Sequence, residues 1–73
     1  MSKIMYFLRK GVTSSTVDDL IQRYSLKRCF ENKKERIFKN NDMIVELNPK
    51  YITVLVYDGN NTDLISDVNA CFS

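Results

Sequence analysis

The alternation of apolar and polar residues divides the chain into short segments of strand and helix character. In the first, residues 3–8, an extended backbone would carry apolar side chains on both of its faces. Strands that are apolar on both faces usually lie inside a sheet, with neighbours or covering elements on each side. The pattern therefore predicts that the chain begins with an interior strand.

The next segment has the spacing of an amphipathic helix over residues 16–26. Apolar residues recur at the i, i+3, i+4, i+7 intervals that place them on one helical face: Val17, Leu20, Ile21 and Tyr24. Thr16, followed three positions later by Asp19, has the layout of a capping box, in which both side chains bond to the first-turn backbone. We therefore expect the helix to begin at Thr16.

Residues 27–39 allow two interpretations. Two short segments of strand character, residues 28–31 and 36–39, flank the polar residues 32–35, which is the layout of a β-hairpin. The alternative is that the preceding helix continues through Glu35, because neither Gly nor Pro occurs between Thr16 and Phe38. The hairpin is favoured, and Phe30 and Phe38 would project from it, either into the core or toward a ligand.

Two further strands are predicted in the second half of the chain. Turn residues at 40–42 and 48–50 enclose residues 43–47, in which three apolar side chains point inward and Glu46 outward. Residues 51–57 are dense in β-branched side chains and apolar on both faces, which predicts a central strand beside the first one.

A second amphipathic helix is expected after Asn61 and Thr62, which are candidate caps. Its apolar face is formed by Leu64, Ile65, Val68 and Phe72. The element order is thus β-α-β-β-β-β-α. We expect one small α+β domain over residues 1–73, with a mostly antiparallel sheet and both helices packed on one face.

Composition excludes several classes of active site. The 73 residues include no His, two Cys and two Gly. Without His, a Ser-His-Asp or Cys-His arrangement is impossible within the chain, and the two Cys cannot complete a structural zinc site. The isolated glycines form no phosphate-binding loop. We expect a protein that is not an enzyme and holds no metal or cofactor, with Cys29 and Cys71 as free, partly buried thiols.

The chain offers a few hints about location and origin. No apolar stretch has the length or flanks of a secretory signal or a membrane span, so a cytoplasmic protein without membrane contact is expected. Ala70 is the only alanine, whereas Asn, Lys and Ile are frequent, a bias typical of AT-rich genomes. Many phages, viruses and low-GC bacteria have such genomes, and for a phage or virus protein the location would be the host cytoplasm.

Charge is divided unevenly along the chain. Residues 1–39 carry ten basic and four acidic side chains, whereas residues 40–73 carry one basic and five acidic ones. Such asymmetry indicates a charged partner. The densest basic segment supplies the candidate contact residues, which are Lys27, Arg28, Lys33, Lys34, Arg36 and Lys39.

Two functions fit these observations. The first is a small protein-binding module, such as a phage or virus accessory factor that inhibits or redirects a larger host protein or complex; the four Tyr and four Phe would supply anchors. The alternative is a nucleic-acid-binding protein in which the cations of residues 27–39 hold phosphates while Phe30 and Phe38 stack on bases. Homo-oligomerisation is compatible with both functions.

Overall fold

The computed structural model describes residues 2–7 and 14–72 of the chain. Seven elements occur in the predicted order: β1 (Ser2–Phe7), α1 (Ser14–Arg23), β2 (Lys27–Glu31), β3 (Arg36–Lys39), β4 (Met43–Leu47), β5 (Tyr51–Val56) and α2 (Thr62–Cys71). The strands form one sheet in the order β1-β5-β4-β3-β2, and every neighbouring pair is antiparallel. The α+β fold predicted from the hydrophobic pattern is confirmed.

The position of β1 differs from the prediction. Among the described strands, β1 pairs only with β5 and therefore lies at one edge of the sheet. The central position predicted for β5 is confirmed, because β5 lies between β1 and β4. An apolar run is equally compatible with an edge and an interior strand, so the pattern alone could not separate the two.

Helix α1 ends in a hydrogen-bonding motif that prevents it from continuing. The backbone N–H of Leu26 donates to the carbonyl of Ile21 at 2.9 Å, and that of Ser25 donates to the carbonyl of Gln22 at 3.3 Å. Ser25 has a φ of 53°, the left-handed conformation that closes a Schellman motif. The chain then turns into β2, so the hairpin prediction for residues 27–39 is confirmed and the continuous helix is wrong.

The start of α1 also differs from the prediction. The helix begins at Ser14, so Thr16 lies within its first turn rather than at its cap. The predicted capping box of Thr16 and Asp19 is therefore wrong. The cap predicted for the second helix is confirmed, because the Asn61 side chain accepts a hydrogen bond from the Leu64 N–H at 3.2 Å.

Three asparagines form the three hairpin turns in the same way. The side-chain oxygens of Asn32, Asn40 and Asn48 each accept hydrogen bonds from the backbone N–H groups two and three residues later. Each asparagine also donates its own backbone N–H to the carbonyl three residues later. These Asx turns confirm all three turn predictions and connect β2 through β5 by tight, closely similar links.

The hydrophobic core lies between one face of the sheet and the two helices. The strands contribute alternate residues: Phe38, Met43, Val45, Leu47, Ile52, Val54 and Val56. The helices and the α1–β2 connection cover them with Val17, Leu20, Leu26, Val68 and Phe72. The predicted inward side chains of β4 are buried and Glu46 is exposed, as the alternation requires.

Within the described residues, neither helix has the length and apolarity to cross a membrane. The same residues contain no group of three or more Cys, Asp or Glu side chains close enough to hold a metal ion.

Candidate binding surface on the helix-free face of the sheet

The sheet face opposite the core is covered by neither described helix, and we call it the helix-free face. Pairing places two rows of residues across it. One row runs Leu55–Ile44–Lys39–Lys27, and the other runs Thr53–Glu46–Ile37–Phe30. Tyr51 belongs to the same face because it alternates with Thr53 and Leu55 along β5.

The helix-free face has an apolar centre, formed by Ile37, Ile44 and Leu55 beside the polar residues Glu46 and Thr53. Ile37, Ile44 and Leu55 are half-buried, although no described helix lies over them. Thr53, on the same strand as Leu55, is only 2% exposed, whereas Phe30 at the β2 end is 47% exposed. A sheet with one solvated face usually carries polar side chains there, so this apolar centre is a candidate contact surface.

A β-bulge directs Phe30 onto this face. Arg28 pairs with Phe38 and Phe30 pairs with Ile37, so Cys29 is an extra residue with no partner of its own. Strict alternation would have placed Phe30 on the core side with Phe38; the insertion reverses its direction. Of the two predicted aromatic projections, Phe38 is in the core at 8% exposure and Phe30 is outside.

Cys29 is exposed, so the prediction that it is a partly buried thiol is wrong. Its Sγ donates a hydrogen bond to the backbone carbonyl of Ile37 at 3.4 Å, which helps to fix the bulge. Cys71 is a free thiol too, and it is partly buried as predicted. It accepts a hydrogen bond from Nη1 of Arg23 at 3.6 Å, which links the two helices.

The six predicted contact cations are exposed but do not form one surface. Lys27 and Lys39 lie opposite each other on the helix-free face. Arg28 is paired with the core residue Phe38 and therefore projects from the other face, where its Nη1 lies 3.0 Å from Oε2 of Glu31.

The other three cations lie around the hairpin tip. Arg36 pairs with Glu31 and Leu47 and shares the face of Arg28. Lys33 and Lys34 are in the turn itself, where the backbone N–H of Lys34 donates to the side chain of Asn32 at 2.8 Å. The hairpin thus presents its positive charge in three directions, and only Lys27 and Lys39 adjoin the apolar centre.

A cleft of about 670 Å³ opens where β2 begins and where β3 and β5 end, and we call it the strand-end cleft. It is formed by the α1–β2 connection, the β3–β4 turn and the residue after β5. Its lining residues are Tyr24, Ser25, Lys27, Lys39, Asn40, Asn41, Asp42 and Tyr57. The tyrosine ring at its rim is accessible, since Tyr57 is 38% exposed.

Asn40 holds the walls of the strand-end cleft together. Its Nδ2 donates to the backbone carbonyl of Tyr24 at 2.8 Å, while its Oδ1 accepts from the N–H groups of Asp42 and Met43. The backbone N–H of Tyr57 in turn donates to the carbonyl of Asp42 at 3.0 Å. One side chain therefore joins the end of α1 to the β3–β4 turn, and that turn is bonded to the end of β5.

The hydroxyl of Tyr24 is buried, and no described group forms a hydrogen bond to it with good geometry. Burial raises the pKa of Tyr24 above its ordinary value of 10.0, and the nearby Asp67 carboxylate and Cys71 thiol act in the same direction. The Arg23 guanidinium opposes this shift. The arrangement keeps Tyr24 neutral, which suits a structural residue rather than an acid or base.

No protein-family model, curated protein or solved structure matches this chain. The function is therefore inferred from the residues of the chain themselves. Sequence reasoning identified Lys27 and Lys39 as contact residues but missed their neighbours Ile37, Ile44 and Leu55. It assigned these three to strands without predicting which face of the sheet they occupy. The alternation of β4 and β5 carried part of that signal, since Ile44 and Leu55 alternate with core positions and are also apolar.

Proposed function

We propose that this chain is a non-enzymatic protein-binding module that contacts a larger protein through its helix-free face. The observation that supports this most directly is the half-buried apolar centre formed by Ile37, Ile44 and Leu55 on a sheet face over which no described helix lies. The core on the opposite side already contains the fully buried side chains, so these three are not needed to fill it.

The chemistry of the helix-free face specifies the partner surface. Phe30 is an exposed aromatic side chain at the β2 end of the apolar centre, of the kind that anchors protein interfaces. Lys27 and Lys39 stand at the same end of the face, whereas Glu46 is its only acidic residue among the described strands. A complementary partner would present apolar side chains beside carboxylates, and the lysines would accelerate and orient its approach.

The β2 edge has features that oppose sheet extension by a second copy. All five residues of β2 are exposed, and three of them are charged. The bulge at Cys29 interrupts the regular row of backbone groups that another strand would need. A homodimer formed through this edge is therefore less favoured than a complex formed through the helix-free face.

Binding of nucleic acid by all six cations has less support from the geometry. A phosphate backbone would have to contact cations on two faces and at the hairpin tip, and Arg28 is already paired with Glu31. The accessory-factor role, inhibiting or redirecting a host protein in the cytoplasm of a phage or virus host, is part of the proposal and is supported by the amino-acid bias alone.

Site-specific photo-crosslinking tests this proposal. A photoreactive amino acid would replace Ile44 or Leu55 in the full chain inside the producing cells, with Asp18 and Ser66, both exposed on the helices, as control positions. We expect the same protein to crosslink from both sheet positions and from neither helix position. That protein, once purified, should bind the wild-type chain and lose binding to Ile44→Asp.

The opposite result is equally clear. If all four positions crosslink to the same mixture, or if the purified protein binds Ile44→Asp as well as the wild type, the helix-free face is not the contact surface. A circular dichroism spectrum of Ile44→Asp that matches the wild type would show that lost binding does not come from unfolding.

A further inference from the structure

We infer that the strand-end cleft binds a nucleotide, with the phosphate at Lys27 and Lys39 and the base against the ring of Tyr57. The cleft volume of about 670 Å³ is within the range of small-molecule sites. This site lies beside the helix-free face and requires Tyr57, which is absent from the proposed protein contact.

The two lysines are the first reason for assigning an anionic ligand. Lys27 and Lys39 are directly opposite each other in the antiparallel β2–β3 pair, where like charges repel. Among the described residues, no carboxylate forms an ion pair with either ammonium group. A phosphate between them would replace repulsion by two charge-assisted hydrogen bonds.

The aromatic ring of Tyr57 is the second reason, and it favours an anion that carries a planar group. Tyr57 lies in the wall of the same cleft and is 38% exposed. Bases stack on such rings whatever their sequence, because every base has a π-face. The side chains of Asn41 and Asp42 add hydrogen-bonding groups to the lining, and the carboxylate of Asp42 can accept from a base amino group.

Hydrogen bonds hold the walls of the strand-end cleft in place. Asn40 connects the carbonyl of Tyr24 to the β3–β4 turn, and Asp42 connects that turn to Tyr57. A site whose walls are held by hydrogen bonds loses little conformational entropy on binding.

The nucleotide could be free in solution or part of a single strand, and the experiment separates these sources. The full chain, labelled with ¹⁵N, would be titrated with inorganic phosphate, adenosine, AMP, GMP and an oligonucleotide of about ten nucleotides. Saturable shifts are expected at the amides of residues 25–27, 39–42 and 57 for AMP or GMP, and weaker ones for phosphate or adenosine alone. Tighter binding of the oligonucleotide than of any monophosphate would identify a strand as the source.

Matched variants test the assigned residues. Replacing both Lys27 and Lys39 with Gln, or Tyr57 with Ala, should weaken binding about tenfold or more, whereas Tyr57→Phe should retain it. The control replaces Lys33 and Lys34 at the hairpin tip with Gln, which removes the same charge and should leave affinity unchanged. The proposal is overturned if no probe gives saturable shifts at the cleft, or if the tip variant loses as much affinity as the cleft variant.

The nucleotide site shares Lys27 and Lys39 with the proposed protein contact, so the two are separated through residues that only one of them uses. Phe30→Ala, which adds no charge and lies outside the cleft lining, should weaken binding of the partner protein and leave nucleotide binding intact, whereas Tyr57→Ala should do the reverse. Failure of nucleotide binding in the wild type would therefore leave the helix-free face as the only assigned surface.

Discussion

The side-chain amide of Asn40 donates a hydrogen bond to the backbone carbonyl of Tyr24, across 2.8 Å and between two loops. In its own turn, Asn40 has the same role as Asn32 and Asn48, because its Oδ1 accepts hydrogen bonds from two backbone N–H groups. The additional contact makes Asn40 the residue through which the end of α1 is tied to the sheet.

Replacing Asn40 with Ala should therefore destabilise the protein more than the same change in an equivalent turn. Three hydrogen bonds are lost, and we expect the free energy of unfolding to fall by about 2–3 kcal/mol in urea titrations. Asn48→Ala is the matched control, since its side chain makes only the two turn bonds among the described residues. Equal losses in the two variants would mean that the bond to Tyr24 contributes nothing to stability.

Ser25→Gly should stabilise the protein. The φ of 53° is costly for a residue with a Cβ and not for Gly, so we expect a gain of about 0.5–1 kcal/mol after the greater chain entropy of Gly is included. Ser66→Gly, at an exposed position inside α2, should lose about 0.5–1 kcal/mol for the same entropic reason. Thermal unfolding should show a higher Tm for Ser25→Gly and a lower Tm for Ser66→Gly. Shifts of the same sign would contradict the role assigned to Ser25.

Protein stability should fall at alkaline pH partly through Tyr24. The pKa of Tyr24 is raised in the folded state. Its contribution to the free energy of unfolding is therefore fully present below pH 10.0, the ordinary pKa, and is lost as the pH rises through the raised pKa. Tyr24→Phe lacks this group, so the urea midpoint of the variant should decrease less between about pH 8 and pH 11 than that of the wild type. Parallel curves would show that the hydroxyl ionises equally easily in both states.

At neutral pH the Tyr24→Phe variant should be as stable as the wild type, to within about 1 kcal/mol. The hydroxyl is buried and no described group bonds to it with good geometry, so its removal leaves no partner unsatisfied. A larger loss of stability would show that the Tyr24 hydroxyl forms a hydrogen bond with the nearby Arg23 guanidinium.

The two faces of β4 should respond differently to truncation. Met43 is fully buried against the helices, and Met43→Ala should cost about 2–5 kcal/mol because it leaves a cavity. The next residue, Ile44, is half-buried on the helix-free face, and Ile44→Ala should cost less than half as much. Denaturant unfolding of the two variants decides this, and similar losses would indicate that the helix-free face belongs to the core.

Local signals predicted most of the fold. The alternation of apolar and polar side chains in β4 fixed its inward face, and the turns at Asn32, Asn40 and Asn48 follow from side chains that bond to their own backbone. The edge position of β1 could not be predicted from the sequence, because strand order depends on which segments meet in three dimensions. The start of α1 was misplaced because several Ser and Thr residues in succession can all serve as caps.

The candidate site was less predictable than the fold. Sequence proximity grouped six cations, but strand alternation, the hairpin turn and the ion pair of Arg28 with Glu31 separate them. The strand-end cleft joins residues from three loops, including Tyr24 and Tyr57, and no local pattern connects positions so far apart. Contacts between distant segments depend on packing, which composition and spacing do not record.

The bulge at Cys29 determines which face of the sheet the later residues of β2 occupy. It therefore also determines which aromatic side chain the protein displays. A related chain that kept this residue but paired it regularly with β3 would turn its equivalent of Phe30 inward and present a different surface, whereas deletion of the residue would leave Phe30 outward. Evolution could thus exchange one set of contacts for another by shifting the pairing of β2 by one position, without changing the elements of the fold.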